Sequence, residues 1–156
     1  MPLAVKSWSG YPPTSIFDSS AKWTLPLKIT VTQVIANEKG MDEWGNFPHE
    51  RQKLFDIIKA AGPKGAVILS GNVHFAELSK IDVGGYPLYD FTASGMTHVN
   101  ELYGRAPNVF RIGEPVIDLH FGMVEIDWSA KPVQRLTFSV VDTRGAVRFT
   151  HSVELK

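Results

Sequence analysis

An asparagine and a histidine two residues apart are the side chains of this sequence best placed to do chemistry. Asn72 and His74 directly follow the short apolar run 66–70, AVILS, and the turn residue Gly71. Such a run is typical of a strand buried on both faces, and open α/β sheets place ligand sites at the carboxyl ends of their strands. An imidazole nitrogen suits iron, zinc or manganese, whereas an amide oxygen suits harder ions such as calcium. The alternative is a tight turn with a hydrogen-bonded asparagine and an ordinary histidine, since short motifs often occur by chance.

The overall composition excludes several other kinds of chemistry. The chain of 156 residues has no cysteine, which rules out disulfides and thiolate nucleophiles and leaves His, Asp, Glu and Asn as metal ligands. Lys plus Arg and Asp plus Glu number 16 each, so the formal net charge of zero favours neither a nucleic-acid nor an anionic-membrane partner. Residues 1–8 do not have the pattern of a signal peptide, and no apolar stretch approaches membrane-spanning length. If Met1 is the natural start, we expect a cytoplasmic protein.

A strand, a helix and a second strand must position Asn72 and His74. Residues 1–26 hold four prolines and no sustained period, and we expect an irregular segment there. Leu27–Ala36 is rich in β-branched residues and predicts a strand. Pro48–Ala61 predicts a helix, because a proline begins it, apolar residues recur at helical spacing and Gly-Pro follows it. Together with a strand at 66–70 these elements form a β-α-β unit, which implies a parallel pair with a right-handed crossover.

The remainder of the sequence predicts mostly strands. Residues 77–83 and 86–93 favour two of them, whereas glycines and prolines interrupt residues 94–121, which we expect to be loop. The last third alternates apolar and polar residues, with a good turn at 142–145 before the final strand. That alternation predicts three strands, near 123–128, 135–141 and 147–153. The predicted fold class is α/β, with a mixed sheet or a two-layer sandwich, few helices and an antiparallel C-terminal meander.

Four segments resemble alkaline phosphatase D-like metallophosphoesterases in the same order. They are Trp44–Ile58 (WGNFPHERQKLFDII), Gly65–Ser79 (GAVILSGNVHFAELS), Tyr86–His98 (YPLYDFTASGMTH) and Phe121–Trp128 (FGMVEIDW). That family has a two-layer β-sandwich core flanked by helices, and it hydrolyses phosphate mono- and diesters at a multinuclear centre in which iron and calcium are implicated. The resemblance implies a metal-dependent hydrolase of small phosphate esters, with residues 27–156 forming part of such a domain.

The resemblance also implies roles for individual residues. Asn72 and His74 would hold a metal ion that activates the attacking water, although the family usually reads Gly-Asp-x-His where this chain has Gly-Asn-Val-His, so an uncharged amide replaces a carboxylate. His98 would support the site, or it is a polar loop residue. His49 and Arg51 would face the phosphate, although capping and surface pairing at a helix start also explain them.

Two alternatives to a metallophosphoesterase stay open. A serine hydrolase could use Ser70 or Ser94 with His74 or His98 and Asp90, although neither serine lies in a Gly-x-Ser-x-Gly elbow. The chain could instead be a catalytically silent domain that binds a partner. This sequence lacks the upstream Asp- and His-rich ligand motifs of the family, and their absence supports that view.

Self-association is the final expectation from the sequence. A hydrolytic metal centre needs three or more protein ligands, so we expect the isolated chain to be a weak enzyme or to act as a homo-oligomer that covers its exposed sheet edges.

Two further histidines are weaker candidates for a site. His120 precedes a predicted strand and has a weaker claim than His98. His151 shares the periodic face of the last strand and is most simply a structural residue.

Overall fold

The computed structural model describes residues 27–40, 42–61, 66–129 and 134–155, which form eight strands and two α-helices. The elements in chain order are β1 Leu27–Ile29, α1 Pro48–Ala61, β2 Ala66–Ser70, β3 Ala76–Asp82, β4 Pro87–Ala93, α2 Glu101–Gly104, β5 Arg111–Val116, β6 His120–Asp127, β7 Gln134–Asp142 and β8 Val147–Leu155. A 3₁₀ turn at Trp44–Asn46 precedes α1. The α/β class is confirmed.

Two sheets form the body of the protein. The first has the strand order β1-β2-β4-β3-β5, with β1, β2 and β4 parallel and β3 antiparallel to both of its neighbours. The second is the antiparallel meander β6-β7-β8. The predicted parallel pairing around Ile68 is confirmed, since that residue lies between Lys28 and Asp90 in register. The predicted C-terminal meander is also confirmed, and it forms a sheet of its own.

The two sheets pack face to face around an aromatic core. The ring of Phe138 on β7 lies 5.2 Å from that of Phe91 on β4, and both side chains are buried. A fully buried Phe or Leu side chain contributes roughly 1.5–3 kcal/mol relative to an exposed one. Glycine at position 122 allows β6 to approach β4, because a Cβ there would lie only 2.5 Å from the Cβ of Ala93. The alternation predicted for β7 is confirmed, because the apolar side chains on its inward face are fully buried: Leu136, Phe138 and Val140.

Helix α1 covers the other face of the five-stranded sheet. Phe55 and Ile58 are its buried side chains, and they pack in one cluster with Ile68 and Leu88 of the sheet. The sequence pattern pointed to Ile57 as part of this stripe, but its side chain is 63% exposed. The stripe is centred on Phe55 and Ile58 because aromatic packing, as well as spacing, sets the rotation of the helix. The result is three layers: helix, mixed sheet and antiparallel sheet.

The strand predicted over Leu27–Ala36 is too long. β1 ends at Ile29, and residues 30–40, 42 and 43 form an irregular stretch, the covering loop, over the helix-facing side of the sheet. Val34 and Ile35 are buried there like strand residues, but both of their N–H groups donate to the Asp90 carboxylate. Arg51 donates in turn to their carbonyl groups. Side chains therefore satisfy the backbone groups that a strand ladder would have used.

The loop predicted over residues 94–121 contains two elements. α2 is a single turn, and β5 adds an edge to the sheet by pairing with β3 across an irregular register. Gly113 and Pro115 hid β5 from the sequence pattern, yet an edge strand tolerates proline because its outward N–H needs no partner. The next strand, β6, begins at His120 and not at residue 123. Segment 1–26, predicted to be irregular, lies outside the described residues.

A buried carboxylate joins three separate parts of the fold. Glu77 on β3 accepts from Lys39 at 2.8 Å and from Gln33 at 2.6 Å, both in the covering loop. It also accepts from Asn108 at 2.9 Å and from Arg111 at 2.6 Å. Burial alone would raise the pKa of Glu77, but the two cations outweigh burial and hold that pKa below its ordinary value. Glu77 is therefore ionised, and both cations depend on it for a counter-charge.

Replacing Glu77 with glutamine should strongly destabilise the protein. Glu77→Gln removes the carboxylate that pairs directly with Lys39 and Arg111, and we expect the free energy of unfolding in urea at about pH 7 to fall by roughly 3–5 kcal/mol. The control is Glu154→Gln, which breaks an exposed pair with Arg135 and should cost less than about 1 kcal/mol.

The pH dependence of stability provides a second test of the role of Glu77. A carboxyl group whose pKa is lowered on folding stabilises the fold above its ordinary value of 4.5, and that stabilisation is lost as the pH falls through the folded pKa. The gap between the wild type and Glu77→Gln should therefore narrow in acid. A gap that stays constant down to about pH 3 would contradict this account.

Candidate functional site

Asn72 and His74 lie at the carboxyl end of β2 in a backbone conformation that few residues adopt. Their φ angles are +70° and +60°, in the left-handed region that costs most non-glycine residues about 1–2 kcal/mol. The neighbouring loop fixes His74 through its backbone. Its N–H donates to the hydroxyl of Ser94 at 3.0 Å, and its carbonyl accepts from the N–H of Asn100 at 2.8 Å. Strain held in this way concentrates at functional sites.

The structure brings His74 and His98 into direct contact. Their ring centroids lie 3.8 Å apart at an angle of 37°, with His74 half-buried and His98 exposed. The Nδ1 atom of His74 is 3.4 Å from the carbonyl oxygen of Ser94. A hydrogen bond at this contact has Nδ1 as its donor, because a carbonyl can only accept, and that tautomer leaves the lone pair of Nε2 for a ligand. Metal-binding histidines typically have this arrangement.

A polar cleft of about 470 Å³ opens beside His74. Its lining residues are Gly40, Asp42, Asn46, Asn72, Val73, His74, Asn100 and Tyr103. The lining offers a carboxylate, amide oxygens, a phenol and an imidazole, with Asp42 as its charged member. The covering loop supplies one wall and the start of α2 supplies the opposite wall.

Three residues that line the cleft were not among the predicted site residues: Asp42, Asn100 and Tyr103. Asn100 caps α2, since its side-chain oxygen accepts from the N–H of Tyr103 at 3.2 Å. The signal for that cap was present, because an asparagine followed by an acidic residue is typical of a helix start. Nothing comparable marked Asp42, whose position depends on the long-range contacts of the covering loop.

The donor set fits part of a metal site. Asn72 offers an amide oxygen, and His74 and His98 offer imidazole nitrogens that suit iron, zinc or manganese. Over residues 27–40, 42–61, 66–129 and 134–155, no three side chains of His, Cys, Asp or Glu converge to form a ligand set. The described residues bring two imidazoles into contact and place the amide of Asn72 in the lining of the same cleft as His74.

Neither His49 nor Arg51 lines the cleft. His49 is exposed in the first turn of α1 and does not line the cleft. Arg51 donates to the carbonyls of Val34 at 2.7 Å and Ile35 at 2.5 Å, and its guanidinium lies 4.8 Å from the ring centroid of Phe55. Burial lowers the pKa of Arg51, while two carboxylates nearby oppose that shift. Its contacts hold the covering loop, and the phosphate-directed role of both residues stays a prediction.

The two serines considered as nucleophiles have other partners. The hydroxyl of Ser70 donates to Asp90 at 2.6 Å, and both side chains are buried. Burial raises the pKa of Asp90, whereas the Ser70 hydroxyl and two backbone N–H groups lower it. The hydroxyl of Ser94 accepts from the backbone of His74 and not from its ring. In the described part of the chain, neither serine hydroxyl is hydrogen-bonded to an imidazole nitrogen.

His120 is buried beside the loop that carries His98. Its Nε2 accepts from the N–H of Gly95 at 3.2 Å, and its Nδ1 donates to the carbonyl of Asp118 at 2.7 Å. Burial lowers the pKa of His120, and the contacts with Asp118 oppose that shift. His151 is half-buried opposite Phe138, in a position that requires no chemistry.

Comparison with known proteins finds a distant likeness of fold. The sequence matches no protein-family model and no curated protein. The fold is similar to a solved structure described as that of PhoD, with 14% identity and a TM-score of 0.47. The match covers 90% of this chain and 33% of the other, so this chain spans about a third of that protein's length. A likeness this distant says nothing of activity.

None of the helices in the described residues is long and apolar enough to cross a membrane.

The left-handed backbone at Asn72 predicts an inverted preference for glycine over alanine. Asn72→Gly should be more stable than Asn72→Ala by about 1 kcal/mol, because only glycine adopts φ = +70° without strain. At Lys53, exposed within α1, the order should reverse, with alanine better by about 1 kcal/mol. Urea unfolding of the four variants measures both differences. Alanine being the more stable residue at both positions would contradict the strained conformation.

Proposed function

We propose that the chain carries one side of the active site of a metal-dependent phosphoester hydrolase, acting on small phosphate mono- or diesters. Asn72 and His74 are the proposed metal ligands, and His98 completes the imidazole pair. The observation that carries the proposal is the contact between His74 and Ser94, which frees the Nε2 lone pair of His74 beside a polar cleft. The four ordered segments that resemble alkaline phosphatase D-like enzymes support the same reaction class.

The residues of the cleft have separate tasks in this proposal. Ser94 sets the tautomer of His74, and the hydrogen bond from Asn100 to the His74 carbonyl fixes the backbone that carries the imidazole. Asn72, which lines the cleft two residues before His74, offers a neutral oxygen donor. Asp42 is the charged group in the lining and can order an attacking water or take up its proton.

The metal would supply the electrostatic part of the chemistry. An ion of iron, zinc, manganese or calcium bound at such ligands polarises a phosphoryl oxygen and lowers the pKa of water. Asn72 brings no negative charge, so the site would keep a higher net positive charge than one with a carboxylate in that position. That difference favours an anionic substrate over a neutral one.

Removing the proposed ligand should abolish hydrolysis. With p-nitrophenyl phosphate and bis-p-nitrophenyl phosphate as substrates, His74→Ala should lower kcat/KM by more than about 100-fold, because even residues that only orient a ligand contribute roughly 10–100-fold. A chelator should suppress the wild type, and metal should restore it. His151→Gln is the matched control and should leave the rate unchanged. Activity that survives chelation but is lost in Ser70→Ala or Ser94→Ala would favour a serine hydrolase instead.

We also propose that the active form is a homo-oligomer. Hydrolytic metal sites use at least three protein ligands with an open position, and a second copy could add donors to the two imidazoles and the amide. Metal content per chain and specific activity should both rise with protein concentration, together with the mass measured by light scattering. A monomer that holds stoichiometric metal and is fully active at all concentrations would contradict this.

A further inference from the structure

His120 connects the second sheet to the loop that carries His98. It is the first residue of β6 and is 2% exposed. Its backbone N–H donates to the carbonyl of Gly95 at 3.0 Å, while its ring accepts from the N–H of the same glycine at 3.2 Å. Backbone and side chain thus hold Gly95 from both sides.

The position of Gly95 leaves no room for any other residue. A Cβ built there would overlap the His120 ring, at 2.6 Å from its Nδ1 atom and closer still to Cε1. Gly95 has an ordinary φ, so packing against the imidazole, and not backbone conformation, requires the glycine. The ring is therefore a fitted support for the loop.

The ring must be neutral and in one tautomer to give this support. The Asp118 carbonyl can only accept, so Nδ1 carries the hydrogen and Nε2 is the acceptor for Gly95. Asp118 is itself held by Arg148 of β8, whose guanidinium lies 2.5 Å from its carboxylate. The orientation of His120 is thus fixed from within the second sheet.

One residue separates this support from the proposed ligand. Ser94 precedes Gly95, and both the hydroxyl and the carbonyl of Ser94 contact His74. A shift of Gly95 would displace Ser94, and with it the bond that sets the tautomer of His74. His98, three residues after Gly95, would move with the same loop.

We infer that His120 is a positioning residue, which holds Gly95 and Ser94 so that His74 and His98 form their stacked pair with the Nε2 atom of His74 free. The inference rests on the proposed function for its purpose but not for its geometry. The second sheet contributes none of the described residues that line the cleft, and this inference gives it a role in the site through His120.

The test compares two amides that each replace one nitrogen of the ring. Glutamine at position 120 carries its polar atoms at the reach of Nε2 and can still accept from Gly95, whereas asparagine reaches only as far as Nδ1. In the metal-free full-length chain, ring currents should shift the imidazole proton signals of His74 and His98 upfield relative to the exposed His49. We expect His120→Gln to keep that shift and His120→Asn to lose it.

Two further measurements separate positioning from general stability. Urea unfolding should show similar losses for both variants, since each removes one hydrogen bond of the same ring. Zn²⁺ titration should show a tenfold or greater loss of affinity in His120→Asn only, the range expected for a residue that orients a ligand. Equal loss or equal retention of the shift in the two variants would overturn the inference. Wild type that shows the shift but binds no Zn²⁺ would refute the proposed function and leave the positioning intact.

A measurement on the wild type covers the case in which His120→Asn does not fold. An N–H···N bond transmits a scalar coupling between its two nitrogens, so ¹⁵N-labelled protein should show one between Gly95 N and His120 Nε2. Its presence supports the assigned tautomer and contact. Its absence in the folded wild type would overturn the inference without any variant.

Discussion

The ionised carboxylate of Glu77 is the interaction on which both walls of the cleft depend. Through Lys39 and Gln33 it fixes the covering loop, which carries Asp42 to one side of the site. Through Arg111, which also donates to the carbonyls of Gly104 and Ala106, it fixes the end of α2 on the opposite side. A buried charge without these partners would cost several kcal/mol. The same carboxylate therefore helps to hold in place both segments that line the cleft.

Asp90 plays the complementary part deeper in the sheet. Its carboxylate accepts from the N–H groups of Val34 and Ile35, while Arg51 of α1 satisfies the carbonyls of the same two residues. A stretch with the composition of a strand is held in this way as a loop, with its apolar side chains still in the core. Polar groups on the helix-facing side of the sheet thus take the place of a longer β1. The loop that follows β1 can therefore carry site residues such as Asp42 to the cleft at the carboxyl end of β2.

Local pattern in the sequence predicted the elements but not the connections between them. Helix α1 was predicted at its observed bounds, and the strands of the meander within a few residues, because binary patterns and turn residues act over short distances. The end of β1 at Ile29 depends on Asp90, which lies 56 residues from Val34 along the chain. β5 depends on pairing with β3, and its glycine and proline concealed it.

The residues of the candidate site were likewise predicted where the signal was local and missed where it depended on distant contacts. The motif around Asn72 and His74 identified the end of β2, since glycine and polar residues after a buried strand are visible locally. His74 and His98 lie on two different loops, so the sequence pattern predicted each as a candidate but did not predict their contact. Asp42 and Tyr103 reach the cleft through contacts between segments that are distant in the sequence. No property of their immediate neighbours distinguished them from ordinary surface residues.

The meander and the covering loop differ in when they can form as the chain is made. Each strand of the meander pairs with its neighbour in the sequence, so the second sheet closes over short separations. Gln33 must wait for a partner 44 residues further on, and Val34 for one 56 residues away. Contacts at such separations form slowly because a long loop has to close before they contribute. During synthesis, the apolar residues of the covering loop would leave the ribosome well before the carboxylates that hold them, and would stay unprotected for that interval.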